Sequence, residues 1–241
     1  MRHHHISRRS LLAAGGATAF TVGAGVTAPQ AAAAPLAAVA PVRPSVTSPD
    51  DALGRLVTGN QRFAAGCGRH PRQTLEDVYR LAAGQHPFAV IVGCADSRVA
   101  PEVIFDQGLG DLFDNRVAGN IVDDLLLGSV EFAVEEFHSP LIVVLGHERC
   151  GAITATIDAI RNGGSAPGHI GTIVDALRPI VAPVLSQPGD PVDNAVRANV
   201  RAQAQSLLDR SEIIAERVRQ GALQVVGARY DLDNGQVALV S

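Results

Sequence analysis

The chain alternates short, wholly apolar runs with stretches whose apolar residues recur every three or four positions. Between Pro49 and Gly66, Ala52, Leu53, Leu56, Val57 and Phe63 fall along one helical stripe. A shorter helix is predicted over Asp77 to Ala83, closed by Gly84. Phe88-Ala-Val-Ile-Val-Gly93 shows no alternation. Its length, its β-branched residues and the flanking Pro87 predict a strand covered on both faces, as in a parallel sheet. Pro140-Leu-Ile-Val-Val-Leu-Gly146 repeats that pattern, and Leu112 to Val117 reads as a further strand. Helices are expected over Gly128 to Phe137, Gly151 to Arg161 and, whole or broken in two, Asp193 to Gln220. Leu223 to Val226 and Gln236 to Val240 flank Asn234-Gly235, a hairpin turn signal. The expected fold class is α/β: a mostly parallel central sheet, about four parallel strands plus an antiparallel edge strand, flanked by helices.

The first 47 residues break from this pattern. Ser7-Arg8-Arg9-Ser10-Leu11-Leu12 precedes a mild apolar run from Ala13 to Val26, then small residues with Ala-rich cleavage choices between Ala28 and Ala40. Paired arginines before a weakly hydrophobic run resemble a twin-arginine export signal. The run is short and diluted by Gly and Thr for a transmembrane span. Residues 1–47 are therefore expected to be export signal and linker, and residues 48–241 one catalytic domain. That domain is expected in the periplasm or outside the cell, with no stable membrane insertion once the leader is removed. The twin-arginine route carries folded proteins, so a thiolate metal site would be filled in the reducing cytoplasm.

Composition narrows the chemistry. Apolar residues make up 46% of the chain, enough for a substantial core. The net charge is −4 and every basic residue is arginine, which leaves no footprint for nucleic acid or an anionic membrane surface. Cys67, Cys94 and Cys150 are odd in number and widely spaced, so they point to metal or redox chemistry rather than a disulfide scaffold.

Two clusters carry that chemistry. Cys94-Ala-Asp96-Ser-Arg98 follows the first buried strand, and His147-Glu-Arg-Cys150-Gly151 follows the second. In doubly wound sheets, sites form at the carboxyl ends of strands. A His three residues before a Cys fits a strand exit turning into a helix. Two thiolates and an imidazole suit tetrahedral zinc, with a fourth position for water. Asp96 lies two residues from a ligand, where it can accept a hydrogen bond from that water or become the fourth ligand of a closed state. The planar fork of Arg98 can hold the carboxylate bidentately and keep it from the metal. Either cluster alone also reads as a core cysteine and a structural histidine. Cys67 and His70 suggest a spare thiol rather than a second metal site. Glu148 and Arg149 are expected to be solvent-facing or interface groups, and 162–171 a loop carrying His169.

In this order, the two clusters strongly resemble the paired signature of β-class carbonic anhydrases. The resemblance runs from about Asp51 to the final hairpin. It takes in Gly59-Asn60-x-x-Phe63, Arg116-Val-Ala-Gly-Asn120, Gly128-Ser-Val-Glu131-Phe132 and the segment from Tyr230 to Gly235. It implies Zn2+ on Cys94, His147 and Cys150, reversible hydration of carbon dioxide to bicarbonate, and a catalytic dyad of Asp96 and Arg98. It also implies that Gln85 hydrogen-bonds substrate, often from an adjoining subunit, and that Phe113 and Phe132 form an apolar substrate pocket. Phe132 stands where a tyrosine is common, so a hydroxyl contact is missing. Self-association as a dimer or tetramer is implied as well. Some members build a regulatory bicarbonate site on a tryptophan where this chain has Ile91; the chain contains no tryptophan. Three alternatives stay open: a carbonyl sulfide or carbon disulfide hydrolase on the same scaffold, an inert zinc-binding protein, and a cysteine-based redox protein. The second would have no use for Asp96 and Arg98, and the third lacks a Cys-x-x-Cys pair.

Overall fold

The computed structural model describes residue 46 and residues 48–240. The expected export signal lies outside them.

Five strands form one sheet: β1 (Ala89–Gly93), β2 (Leu112–Arg116), β3 (Leu141–His147), β4 (Gln224–Tyr230) and β5 (Val237–Val240), in the order β2-β1-β3-β4-β5. The first four are parallel, and β5 pairs antiparallel with β4 across the expected hairpin. Every residue of β1 and β3 is buried, which is why their sequences are unbroken apolar runs rather than alternating ones.

The two faces of the sheet bury different helices. Ala89, Ile91, Leu141, Val143 and Leu145 pack with Leu56 of α1 (Pro49–Ala64) and Ile104 of the short α3 (Pro101–Ile104). Val90, Val92, Ile142 and Val144 pack on the other face with Val130 of α4 (Asp124–Phe137), Val200 and Leu207 of α7 (Pro191–Arg210) and Ile214 of α8 (Glu212–Arg219). Each such aliphatic side chain contributes about 1.5–3 kcal/mol by leaving water. A third apolar cluster closes the carboxyl end of the sheet. There α5 (Gly151–Arg161), α6 (Ile170–Val181) and the start of α7 bring Ile153, Leu177 and Val196 around Cys94 and Cys150.

Helix boundaries follow polar caps that the apolar pattern does not reveal. α2 (Leu75–Leu81) begins two residues before the expected start because Thr74 and Asp77 form a reciprocal capping box. α4 begins at Asp124, four residues early, because Asp123 accepts a hydrogen bond from the Leu126 amide. The long C-terminal helical stretch does break in two. Ser211 is extended, caps α8 by accepting from the Ile214 amide, and donates its hydroxyl to Glu131. α6 was not expected: Pro179 inside it and the glycine-rich lead-in mask a stripe of Val174, Leu177 and Val181 that is fully buried. His169 sits exposed at its N-terminal boundary. Among the described residues, no helix is long and apolar enough to cross a membrane.

α1 locks the final hairpin to the core. The buried Asn60 amide donates to Ile104 O (3.0 Å) and Gly235 O (2.9 Å) and accepts from the Val237 amide (2.8 Å). Beside it, a Cβ on Gly59 would collide with the carbonyl oxygen of Phe105, which is backbone and cannot swing away. Gly54, on the same helix, has nothing within 4 Å of such a Cβ. Gly54→Ala should therefore stabilise the protein by about 0.5–1 kcal/mol through helix propensity alone. Gly59→Ala should destabilise it by about 1–3 kcal/mol net, because the overlap outweighs that gain. Denaturant titration of both variants checks this, and equal effects would show that α1 does not dock as described.

Candidate metal centre

The chain leaves β1 toward β2 on one side while β3 lies on the other, so the carboxyl ends of β1 and β3 frame a topological switch point. Gly93 is level with Leu145 in their parallel register, so Cys94 and His147 emerge within about one residue of the same height. Cys150 then begins α5 just beyond. The ligand atoms of Cys94, His147 and Cys150 all lie within 4.8 Å of one another. The three residues are 6%, 0% and 2% exposed, so the cluster is shut away from bulk solvent. Cys67 lies elsewhere, exposed and unbridged, and forms no such group with His70 among the described residues.

Neighbouring backbone fixes each member. Arg116, the last residue of β2, donates from Nε to Cys94 O (2.9 Å) and from Nη2 to Asp96 O (2.6 Å), pinning the turn that follows β1. The Gly119 amide points at Cys94 Sγ (3.4 Å) from a left-handed conformation at φ 78°, which a glycine adopts without strain. Gly119 O in turn accepts from the buried Asn199 amide of α7 (2.9 Å). His147 Nδ1 lies 2.8 Å from Glu148 O, an acceptor only, which assigns the ring proton to Nδ1 and turns the Nε2 lone pair toward the cysteines.

That lone pair tests whether a metal fits. His147 Nε2 is buried without a hydrogen-bond partner, an unfavourable state for a polar atom unless something else engages it. Two sulfurs and one imidazole nitrogen converging there form the nitrogen–sulfur donor set of a zinc-type site. One thiol of the pair is already biased toward ionisation. Cys94 is pulled down to about 4, first by the hydrogen bond from Cys150 and further by the Gly119 amide, against the opposing effect of burial. Cys150 is pushed up, because it keeps the proton that the pair shares. The residues fit a metal, and its arrival would release that shared proton.

Asp96 and Arg98 form the expected bidentate pair: Arg98 Nε to Oδ1 at 2.9 Å and Nη2 to Oδ2 at 2.7 Å. The Arg98 backbone amide adds a third bond to Oδ1 at 2.9 Å. The guanidinium hydrogen bonds hold the Asp96 carboxyl well below the usual carboxylate range, so it is ionised at any physiological pH. Asp96 Oδ2 stands 3.9 Å from His147 Nε2, facing the ligand cluster.

The substrate-side residues are placed differently. Phe113 and Phe132 do meet, with ring centroids 6.3 Å apart, and both also pack on Phe137. That trio lies on the flank between β2 and α4, in a different apolar cluster from Cys94 and Cys150. Gln85 is exposed just before β1, whereas Cys94 follows it. The five-residue strand between them spans about 16 Å.

Glu148, expected to face solvent or an interface, is half-buried: its carboxylate accepts from Arg229 (2.6 Å) and from the Leu232 amide (3.0 Å). Arg149 is exposed, yet paired with Asp233. Arg116 and Gly119 fall in the Arg116-Val-Ala-Gly-Asn120 segment of the resemblance, but their hold on Cys94, and that of Asn199 on Gly119, were not expected from the sequence.

A carbonic anhydrase family profile matches residues 89–237. Carbonic anhydrase 2 of Mycobacterium tuberculosis is 45% identical over 193 residues, covering 80% of this chain and 93% of that protein. A carbonic anhydrase of Mycolicibacterium smegmatis is 41% identical over 195 residues, covering 81% and 95%. Among solved structures, the Coccomyxa β-carbonic anhydrase in complex with acetazolamide matches with a TM-score of 0.61 and 28% identity, covering 78% of this chain and 86% of that one.

Proposed function

This chain belongs to the β-class carbonic anhydrase family and interconverts carbon dioxide and bicarbonate, and on that premise we propose that zinc serves it on Cys94, His147 and Cys150. The observation that carries the proposal is the buried, partnerless Nε2 of His147 beside two thiols, one of them poised as thiolate. Zinc, when bound, supplies a Lewis acid that lowers the pKa of a coordinated water from about 15.7 toward 7.

The protein's own groups then set geometry and proton traffic. Hydration joins a water oxygen to the carbon of carbon dioxide and releases one proton. Asp96, ionised and acceptor-only, receives the hydrogen bond of the attacking water at Oδ2, the oxygen that faces the ligand cluster. Arg98 occupies both carboxylate oxygens and so orients Asp96 while restraining it from becoming a fourth ligand. An inert zinc-binding protein gains nothing from such a pair. Asp96→Asn should keep the metal, measured by elemental analysis, and lose about 10²-fold or more in stopped-flow carbon dioxide hydration. Unchanged hydration in a metal-replete sample would remove Asp96 from the mechanism.

Gln85, Phe113 and Phe132 are proposed as substrate contacts of a self-associated dimer or tetramer. Gln85 lies at the opposite end of β1 from Cys94, so it would serve the site of a second copy. Gln85→Ala and Cys150→Ala should each impair hydration severely. Co-expressed, they should form mixed dimers with one intact site and regain activity. No recovery in the mixed species would show that Gln85 does not act across subunits.

Residues 1–47 are proposed as a twin-arginine export signal and linker, with residues 48–241 the catalytic domain acting outside the cytoplasm. The support is the Arg8-Arg9 pair ahead of a weakly apolar run. Replacing both arginines by lysine should leave the protein in the cytoplasmic fraction. Unchanged export would refute the reading.

A further inference from the structure

The turn that carries two of the three proposed ligands, His147 to Cys150, is fastened through every polar atom of Glu148 and through the guanidinium of Arg149. The Glu148 amide donates to Tyr230 O (3.0 Å), and its carbonyl oxygen is the acceptor for His147 Nδ1. Its carboxylate divides between two donors: Oε1 takes Arg229 Nη2 at 2.6 Å, and Oε2 takes the Leu232 amide at 3.0 Å. Arg149 sits in the left-handed region at φ 48°, which a non-glycine residue rarely holds without outside restraint. Its guanidinium is gripped by both oxygens of Asp233 at 3.0 and 2.7 Å.

Arg229 makes this more than a local turn. Only 11% of its side chain is exposed. It contacts Glu148 after β3, Asp231 after β4 (3.3 Å) and Asp193 on α7 (2.5 Å). Three elements around the carboxyl end of the sheet thus meet on one guanidinium. Glu148, Asp231 and Asp233 crowd together in the manner of a cation site, but Arg229 and Arg149 cross-link them, so the group is a clamp.

We propose that Glu148 and Arg229 are positioning residues for the metal ligands His147 and Cys150. Glu148 fixes the carbonyl that assigns the His147 tautomer, and Arg229 fixes Glu148 against β4 and α7. Acting one shell beyond the ligands, such groups tune how tightly a metal is held. The inference rests on the metal-site reading above and extends it to residues outside both sequence clusters.

The test uses the full chain loaded with zinc or cobalt(II). Glu148→Ala and Arg229→Ala should each release zinc to a chromogenic chelator about 10–100-fold faster than the parent. Each should also shift the visible absorption of the cobalt form, which reports ligand geometry and not stability. Glu148→Gln keeps a single acceptor oxygen, enough for the Leu232 amide or for Arg229 but not for both, and should release zinc at a rate between those of the parent and Glu148→Ala. The double Ala variant should lose little more than either single one, since the two residues act as one unit. Parent-like release rates and an unshifted cobalt spectrum in Glu148→Ala would overturn the proposal, as would losses that add in the double variant. If an alanine variant fails to fold, Glu148→Gln and Arg229→Lys still decide the matter: a shifted cobalt spectrum in both supports the clamp, and a normal spectrum in both overturns it. A parent that takes up neither metal would instead sink the metal-site reading itself.

Discussion

The parallel pairing of β1 with β3 is the constraint on which the site depends. Both strands are buried from end to end, so neither can slip by a residue without turning its apolar side chains against the wrong layer of helices. Register is therefore fixed by burial of Ile91, Val92, Val143 and Val144 on opposite faces. Because register is fixed, Cys94 and His147 leave the sheet at nearly the same height on neighbouring strands. The chain then has to add only one short turn to bring Cys150 to the same point.

What that pairing delivers would be costly without a metal. Two thiols and an imidazole share a space from which water is almost excluded, and one ring nitrogen has no hydrogen-bond partner. Polar groups are normally satisfied when buried, so the arrangement stores unmet bonding capacity where a metal would use it. The surrounding backbone works in the same direction. The Gly119 amide favours the Cys94 thiolate, and the Glu148 carbonyl holds the ring proton on Nδ1. Asp96 is a carboxylate held near the cluster but restrained by Arg98, which separates hydrogen-bond acceptance from ligation.

Much of this was legible in the sequence, and the limits are physical. Continuous apolar runs announced β1 and β3 because burial on both faces leaves no room for polar residues, and the two clusters could be read because they follow those runs directly. Asn234-Gly235 marked the hairpin, although the connection runs over 231–236 and only Gly235 of the pair takes a positive φ. Helix starts at Leu75 and Asp124 were misjudged because caps are single polar residues outside the apolar stripe. α6 was missed because Pro179 and the glycines before it outweighed its buried stripe. The intrachain partners of Glu148 were not legible because Arg229 and the Leu232 amide lie more than 80 residues away, and local pattern carries no trace of a contact at that distance.

The two halves of the proposed chemistry also sit on different footings within the fold. Ligands and dyad gather at one sheet end, held by bonds inside a single chain: Arg116 on the Cys94 turn, Arg98 on Asp96, Arg229 on the His147 turn. The proposed substrate contacts lie on an outer flank and at the far end of β1, where Phe132 is 55% exposed and Gln85 faces outward. A large aromatic ring left half in water gains free energy only when something covers it. An assembly that buries that flank would bring the apolar half of the site to the metal half of a neighbour. Metal retention would then be a property of the folded chain, while substrate capture would depend on association. Under the proposed assembly, bracing from within a single chain would hold the ligand turns in place with or without a docked partner.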